Sequence, residues 1–428
     1  MTHHAEQVFA VCGNDGSNVE IAVHVYELHK ALPVEKRARV ECWLHVVDPM
    51  LCEALKSHGM FRDATDSFVV GVTNIFENSA RLLLQEHPLD REFIGAGDPR
   101  AVHLVIVGFG QMGQSIALQA AKIGQFANGR KLQQTILDRD ADRQERRFLA
   151  RYPQFTKVCD LRFIHSDFEV GDFFRQLQQW AKSADNLLSI AICLDNDSAS
   201  LRCALTLAAQ LERTTVPLFV RMEEDVGLAS LLNCQAQTTE LLRHVHAFGQ
   251  INLAASLSKW ISAGQDDIAM SIHEGFRIQR AAEVRPSSDP SMRNWNDLSE
   301  GLKNSNRQFA DHMPVKLRAI RCVVDKPREG ENAVKGFTQV EADLLAKMEH
   351  ARWNAERFLG NWQLGPADKP NKISPYLVEW DVLPKEIQKY DYEMVEVIPQ
   401  LVNSMNQQIY RVDASPSMNN PSSAKSKQ

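Results

Sequence analysis

Along this chain the apolar positions fall into two alternating patterns, short continuous runs and longer stretches with a three-to-four residue repeat. His103–Val107 reads as a short buried strand, and Gln114–Ile123 as a helix with Ile116, Ala117, Ala120 and Ile123 on one face. Thr135-Ile136-Leu137 and Leu161–Ile164 predict a second and a third strand, and Phe173, Phe174, Leu177 and Trp180 mark the helix that follows. The strand Leu188–Cys193, the helix Ser200–Leu211, the strand Leu218-Phe219-Val220 and a short helix at Val226–Leu232 complete the series. Such alternation predicts an α/β fold with a parallel sheet covered on both faces, because parallel strands need long crossover connections and helices supply them.

The first hundred residues repeat the second half of this series. Phe9-Ala10-Val11-Cys12 parallels Ile190-Ala191-Ile192-Cys193, and each precedes a polar turn and an apolar helix, Val19–Leu28 or Leu201–Leu211. Val40–Leu44 parallels Pro217–Arg221, and Asp48 with Leu51 and Leu55 parallels Asp225 with Leu228 and Leu232. Residues 8–57 therefore predict a half-lobe: fourth strand, helix, fifth strand, helix. A half-sheet leaves a strand edge and a core face open. The Phe9–Cys12 strand is accordingly expected to be buried against the complete lobe or against another subunit. Residues 58–100 read as a linker with a helix at Phe76–Leu84 and a turn at Gly95–Pro99, and residues 236–281 as helices.

A length of 428 residues suggests about two to four domains. The net charge of −6 argues against a nucleic-acid partner held by counterion release. No apolar run approaches the 18–20 residues of a membrane span, and the N-terminus lacks a signal pattern. Eight scattered cysteines without a C-x-x-C pair read as reduced thiols of a cytoplasmic protein, with Cys12, Cys42, Cys193 and Cys203 buried. The tail from about Asp413 has no apolar periodicity and is expected to be disordered.

Between the first strand and its helix lies Gly108-Phe109-Gly110-Gln111-Met112-Gly113, a G-x-G-x-x-G in the position where a dinucleotide loop is needed. Gly108 permits the turn, Gly110 lets a pyrophosphate approach, Gly113 allows helix–strand contact, and the helix N-terminus faces the anion. Asp138 follows Gly113 by 25 residues, suited to the adenosine ribose, which favours NAD or NADH over NADP; another adenine nucleotide stays open. Arg139 stands ready for a phosphate or for adenine. Ser166 and Asp167, Leu194 and Asp195, and Arg221 follow the later strands, where ligands bind such sheets. Packing alone would also explain the glycines, and capping or surface ion pairs the others. This is the fingerprint of a Rossmann-type domain, placed over 100–240. A half-lobe and linker occupy 1–95, a helical connector 241–335, a small module 336–412, and the tail 413–428.

No catalytic constellation or metal motif has a readable spacing after the lobe, and His244, His246 and His273 read as surface or packing residues. In the last module His350, Trp353 and Arg357 share one helix face, with Trp362, Tyr376 and Trp380 nearby. These residues either cup a planar or phosphorylated ligand or form a small aromatic core.

Glu349-His350-x-x-Trp353, Gly360-x-Trp362-x-x-Gly365, Ser374-Pro375-x-Leu377, Leu383-Pro384 and Tyr390-Asp391 resemble, in order and spacing, the repeat domain of ryanodine receptors (RyR) and some prokaryotic proteins. Residues 101–235 resemble the TrkA N-terminal domain, the regulator-of-potassium-conductance (RCK) domain, and residues 8–57 the latter half of another. The resemblance implies a non-catalytic, oligomeric sensor that binds a nucleotide such as NAD(H). It further implies a link to potassium transport, in the cytoplasm or at the membrane through a channel or transporter partner. This chain departs from the pattern in having no pore and no first half-lobe, as expected of a cut-down form, a fragment or a soluble subunit. The competing expectations are an NAD(P)-dependent oxidoreductase with residues 236–330 as substrate cap, and a nucleotide-signal effector whose sensor is the C-terminal module.

Overall fold

The computed structural model describes residues 5–48, 51–52, 54–55, 67–166, 172–211, 214–223, 242–249, 264–281 and 290–412. Its centre is a six-stranded, wholly parallel sheet made of β4 (Ala101–Val107), β5 (Leu132–Asp138), β6 (Cys159–His165), β7 (Asn186–Ile192), β8 (Leu218–Arg221) and β9 (Val245–Phe248). The spatial order is β6-β5-β4-β7-β8-β9. Counted from β4 this is 3-2-1-4-5-6, the doubly wound order whose chain reverses direction between β4 and β7. All seven residues of β4 are buried, as the central strand of a sheet covered on both faces requires.

Helix α3 (Gln111–Ile123) covers one face with Ile116, Ala117, Ala120 and Ile123, the stripe read from the sequence. On the other face α6 (Asp172–Lys182) and α7 (Asp197–Gln210) place Phe173, Leu177, Cys203, Ala204 and Leu207 over Val105, Val107, Ile190 and Ile192. Burying one side chain of that size contributes roughly 1.5–3 kcal/mol.

The half-lobe is a separate three-stranded parallel sheet of β1 (Gln7–Ala10), β2 (Val40–His45) and β3 (Phe68–Thr73), with α1 (Asp15–Ala31) on its core face. Two corrections arise in these sheets. Strand β3 lies in the stretch read as linker, and β9 in the stretch read as helices up to residue 281; of the latter, α8 (Gly264–Ala281) is helical. The six-stranded sheet thus extends past residue 240. Strand β9 has only four residues and, with two histidines nearby and no clean alternation, little periodic signal.

The two sheets correspond as the repeat predicted, but one residue away from the alignment of Cys12 with Cys193. Ala10 pairs with Leu44 as Ile192 pairs with Val220. Asn14 caps α1 by accepting from Ser17 N, as Asn196 caps α7 by accepting from Ala199 N. The Asp15 carboxylate accepts from Val47 N and that of Asp197 from Glu223 N, in each case at 3.0 and 3.1 Å. Polar capping geometry, absent from a hydrophobic alignment, sets the true register.

Burial of Phe9–Cys12 against the complete lobe is not observed. Among the described residues β1 pairs with β2 alone, Phe9 is half-buried and Cys12 is exposed. Cys42, Cys193 and Cys203 are buried. The half-lobe instead reaches the complete lobe through α2 (Ile75–Glu86), which packs along α3 with Ala80, Leu83 and Leu84. His87, at its C-terminus, sets its ring 4.5 Å from that of His246 and 5.1 Å from that of Phe219.

The C-terminal half is mainly helical: α9 (Glu300–Ala319), α10 (Gln339–Leu359), α11 (Lys385–Glu396) and α12 (Ile398–Ser404). A two-stranded antiparallel ribbon, β10 (Cys322–Asp325) with β11 (Gln408–Arg411), closes it. Thr338 and Glu341 form a reciprocal capping box at the start of α10. Phe309, Leu345, Val395 and Val402 share one core with α3, so this module and the sheet lobe are packed together. The tail from residue 413, the helix at 226–232 and Asp167 lie outside the described residues.

Candidate functional site

The glycine loop leaves β4 where the chain order reverses. Gly108 has φ of +88°, and a Cβ there would stand 3.0 Å from the Cys193 carbonyl oxygen. At Gly113 a Cβ would fall 2.3 Å from the Gly108 carbonyl oxygen, so glycine is what lets α3 begin directly beneath the strand. Gly110 differs: its φ is −69°, and a Cβ would meet only the Asp195 carboxylate, at 3.7 Å. Space, rather than backbone strain, is what Gly110 leaves in the crevice.

Helix α3 starts at Gln111, so Gln111, Met112 and Gly113 form its first turn rather than a loop. The first intrahelical bond runs from Gln114 N to Gly110 O at 3.0 Å, and the amides before it are the ones a helix presents to an anion. Gly110 caps this end without a side chain, and the Gln111 side chain is exposed.

Two residues of the motif face inward instead. The Phe109 ring is fully buried between Phe148 and Phe163, with centroids 5.1 Å from each. Met112 is buried too, 3.2 Å from where a Cβ of Gly249 would lie. Of Phe109 only the backbone belongs to the site: its N–H donates to Asp138 Oδ2 at 2.8 Å. Asp138 Oδ1 accepts from Asp140 N, also at 2.8 Å. The carboxylate therefore pins the glycine loop and retains lone pairs for a ribose hydroxyl. Arg139 beside it is exposed.

Across the crevice Arg221, at the end of β8, donates to Asp195 Oδ1 at 2.8 Å. Arg221 is mostly buried at its side chain and Asp195 almost fully exposed (12% against 89%), so the cation is fixed and the carboxylate can swing away. Cys193, under Gly108, is inert: burial pushes its thiol up to about 12. Sequence reasoning thus brought together Gly108, Gly110, Gly113, Asp138, Asp195 and Arg221, while assigning Phe109 and Met112 side chains that belong to the core.

The second candidate cluster divides. Arg357 lies between two indoles, 5.2 Å from the Trp353 centroid and 4.7 Å from that of Trp362. Trp362 O accepts from Gln154 Nε2 at 2.6 Å, Asn361 donates to Arg151 O, and Lys157 stands over Phe358. This flank docks the module on the sheet lobe between α4 (Ala141–Arg151) and α5 (Phe155–Val158). His350, Trp353 and Tyr376 instead line a cavity of about 300 Å³ between α8–α9 and α10–α11. Phe276, Tyr390, Asp391 and His273 also line it, and the sequence assigns none of them to a ligand site. Asp391 stood within a recognised motif without a role, and His273 read as packing; only tertiary structure aims both inward.

Charge is closely balanced beneath this cavity. Lys316 Nζ donates to Glu349 at 2.8 Å, Arg352 grips Glu349 with two nitrogens and Glu356 with a third, and all but Glu356 are more than nine-tenths buried. Burial pushes the Glu349 carboxyl up, but Arg352 and Lys316 outweigh it and hold it below its usual range. Burial likewise lowers Lys316, to about 8. Lys316 also donates to His312 Nδ1 at 2.9 Å, and His312 Nε2–H to Gln125 O at 3.0 Å, just past the end of α3. One residue before His312, Asp311 Oδ2 accepts from Arg81 of α2 at 2.7 Å and from Gln119 of α3 at 3.0 Å. A single carboxylate thereby ties together the half-lobe, the glycine-loop helix and the C-terminal module.

Among the described residues no group of three or more His, Cys, Asp or Glu is placed to hold a metal ion. Nor is any described helix long and apolar enough to cross a membrane. No protein-family model matches this chain, and no curated protein compared with it is similar.

Proposed function

We propose that this protein is a non-catalytic sensor of a dinucleotide of the NAD(H) type, bound where β4 meets α3. The observation that carries this reading is Gly110, an open glycine at an uncapped helix start, at the chain reversal of a 3-2-1-4-5-6 sheet. The pyrophosphate lies on the first-turn amides of α3. Arg221 leaves Asp195 for a phosphate, and Asp138 accepts from the adenosine ribose. Because α3 is tied through Gln119 and Asp311 to α2 and α9, ligand binding biases the angle between half-lobe and complete lobe. It does so by its different affinity for the two arrangements.

The paired lobes favour an RCK-like identity for residues 8–248, and the aromatic motif an RyR-repeat-like one for the last module. On this reading the open edge of β1 receives a second copy, and the oligomer regulates a potassium channel or transporter. Thermal-shift titration with NAD, NADH, NADP, ATP and cyclic nucleotides tests the ligand. Stabilisation by NADH that is lost in Gly110→Asp supports the site, and no stabilisation by any of them refutes it. Steady turnover of NADH with a carbonyl panel would replace the sensor with an oxidoreductase.

A further inference from the structure

The cavity between α8–α9 and α10–α11 is half open to solvent and holds about 300 Å³. That volume lies at the lower end of ligand pockets, which span roughly 300–1,000 Å³. It admits a ring system with one sugar.

Its walls define the occupant. Phe276, Trp353, Tyr376 and Tyr390 contribute four aromatic rings, from α8, α10, the segment after Ser374, and α11. Among the polar groups, the commitments of His350, Asp391, Glu349, Arg352, His273 and Ser305 are informative. Arg352 is taken by Glu349 and Glu356, Ser305 donates to Glu356, and Lys316 behind them is taken by Glu349. His273 Nε2–H donates to Arg293 O at 2.7 Å, and His350 Nε2–H to Val378 O at 2.8 Å. His350 Nδ1 faces Asp391 Oδ2 at 3.5 Å. Burial raises the Asp391 carboxyl, while Asp391, the Val378 carbonyl and Glu349 together outweigh burial to raise His350. A phosphate entering the cavity would have to break an ion pair to find a cation, and an ammonium to find a carboxylate. An uncharged aromatic ring needs neither: it stacks on the rings and donates an N–H to Asp391.

We infer that this cavity is a second ligand site, for an uncharged planar nitrogen heterocycle of nucleobase or nucleoside size. The phosphorylated ligand considered for this module from its sequence is disfavoured, because Arg357, the cation that would have served it, lies outside the cavity against Trp362.

Isothermal titration of the full chain with adenosine, guanosine, cytidine and uridine, and with ATP and inorganic pyrophosphate, tests the site. At least one nucleoside is expected to bind once per chain, without displacement by excess NADH. Its affinity falls tenfold or more in Asp391→Asn and in Tyr376→Ala. The second variant guards against misfolding, since Tyr376 is 37% exposed. Three results would each overturn the inference: no nucleoside bound at millimolar concentration, pyrophosphate or ATP bound in preference, or displacement by NADH. Unchanged affinity in both variants would do the same.

Discussion

Gly110 and Gly113 differ by three positions in one motif, and the geometry gives them opposite sensitivities. In Gly113→Ala the new methyl would sit 2.3 Å from a backbone carbonyl oxygen and 3.3 Å from Ile106 Cγ2. The Gly108 carbonyl belongs to the tight turn between β4 and α3, which Gly108 N–H anchors to Leu137 O, so α3 must retreat by about 1 Å across a packed face. Overpacking of this kind costs about 3 kcal/mol, and the better helix propensity of alanine returns about 1 kcal/mol. The net loss is about 2 kcal/mol. In Gly110→Ala the methyl meets nothing nearer than 3.7 Å and the backbone suits alanine, so the loss stays under about 1 kcal/mol, the difference in capping. On the proposed binding mode that methyl occupies the approach of the pyrophosphate, and NADH affinity should fall at least about tenfold, equivalent to 1.4 kcal/mol. Urea unfolding followed by circular dichroism, with NADH titration of each folded variant, measures both effects. Equal stability of Gly113→Ala and wild type would refute the packing argument, and unchanged NADH affinity in Gly110→Ala the ligand argument.

Asp195→Asn should tighten NADH binding a few-fold in a fluorescence titration, because it frees Arg221 and removes a negative charge beside Gly110; weaker binding would make Asp195 a ligand contact instead. Asp311→Ala removes the acceptor shared by Arg81 and Gln119 and should cost about 3 kcal/mol in urea unfolding, whereas a loss below about 0.5 kcal/mol would mean that the three-way tie carries no stability. Burial lowers His103 from 6.5 to about 4. The unfolded chain then takes up a proton near 6.5 that the fold refuses until about 4, so stability intact at neutral pH is lost as pH falls through that window, by up to roughly 3 kcal/mol. His103→Gln should flatten the pH dependence of the melting temperature there, and a parallel curve would refute the assignment.

The sequence made the complete lobe legible because β4, β7 and α3 are long, strongly patterned and buried, so period and location agree. It also exposed the half-lobe, since two apolar strands with a polar turn and a helix recur in order. It could not reveal β9, whose residues His246 and Ala247 look like neither an alternating nor a continuous apolar strand. Nor could it fix the register of the repeat, set by carboxylates of Asp15 and Asp197 on backbone amides that lie in the next strand's turn. At the glycine motif the glycines and Asp138 were readable from spacing, while the inward turn of Phe109 and Met112 follows from where α3 begins. Of the aromatic module, helical spacing correctly placed His350 and Trp353 together. It could not show that Arg357, one turn later, lies outside the cavity against Trp362, or that α8 and α11 complete the cavity wall, because those neighbours are distant in sequence.

The central claim is that Gly108–Gly113 binds a dinucleotide, and calorimetric titration of NADH into wild type and Gly110→Asp, side by side, tests it most directly. The account predicts saturable binding of one NADH per chain in wild type and none in a Gly110→Asp variant whose melting temperature is preserved. Absence of binding in wild type at millimolar NADH, or equal binding in the two proteins, would contradict it.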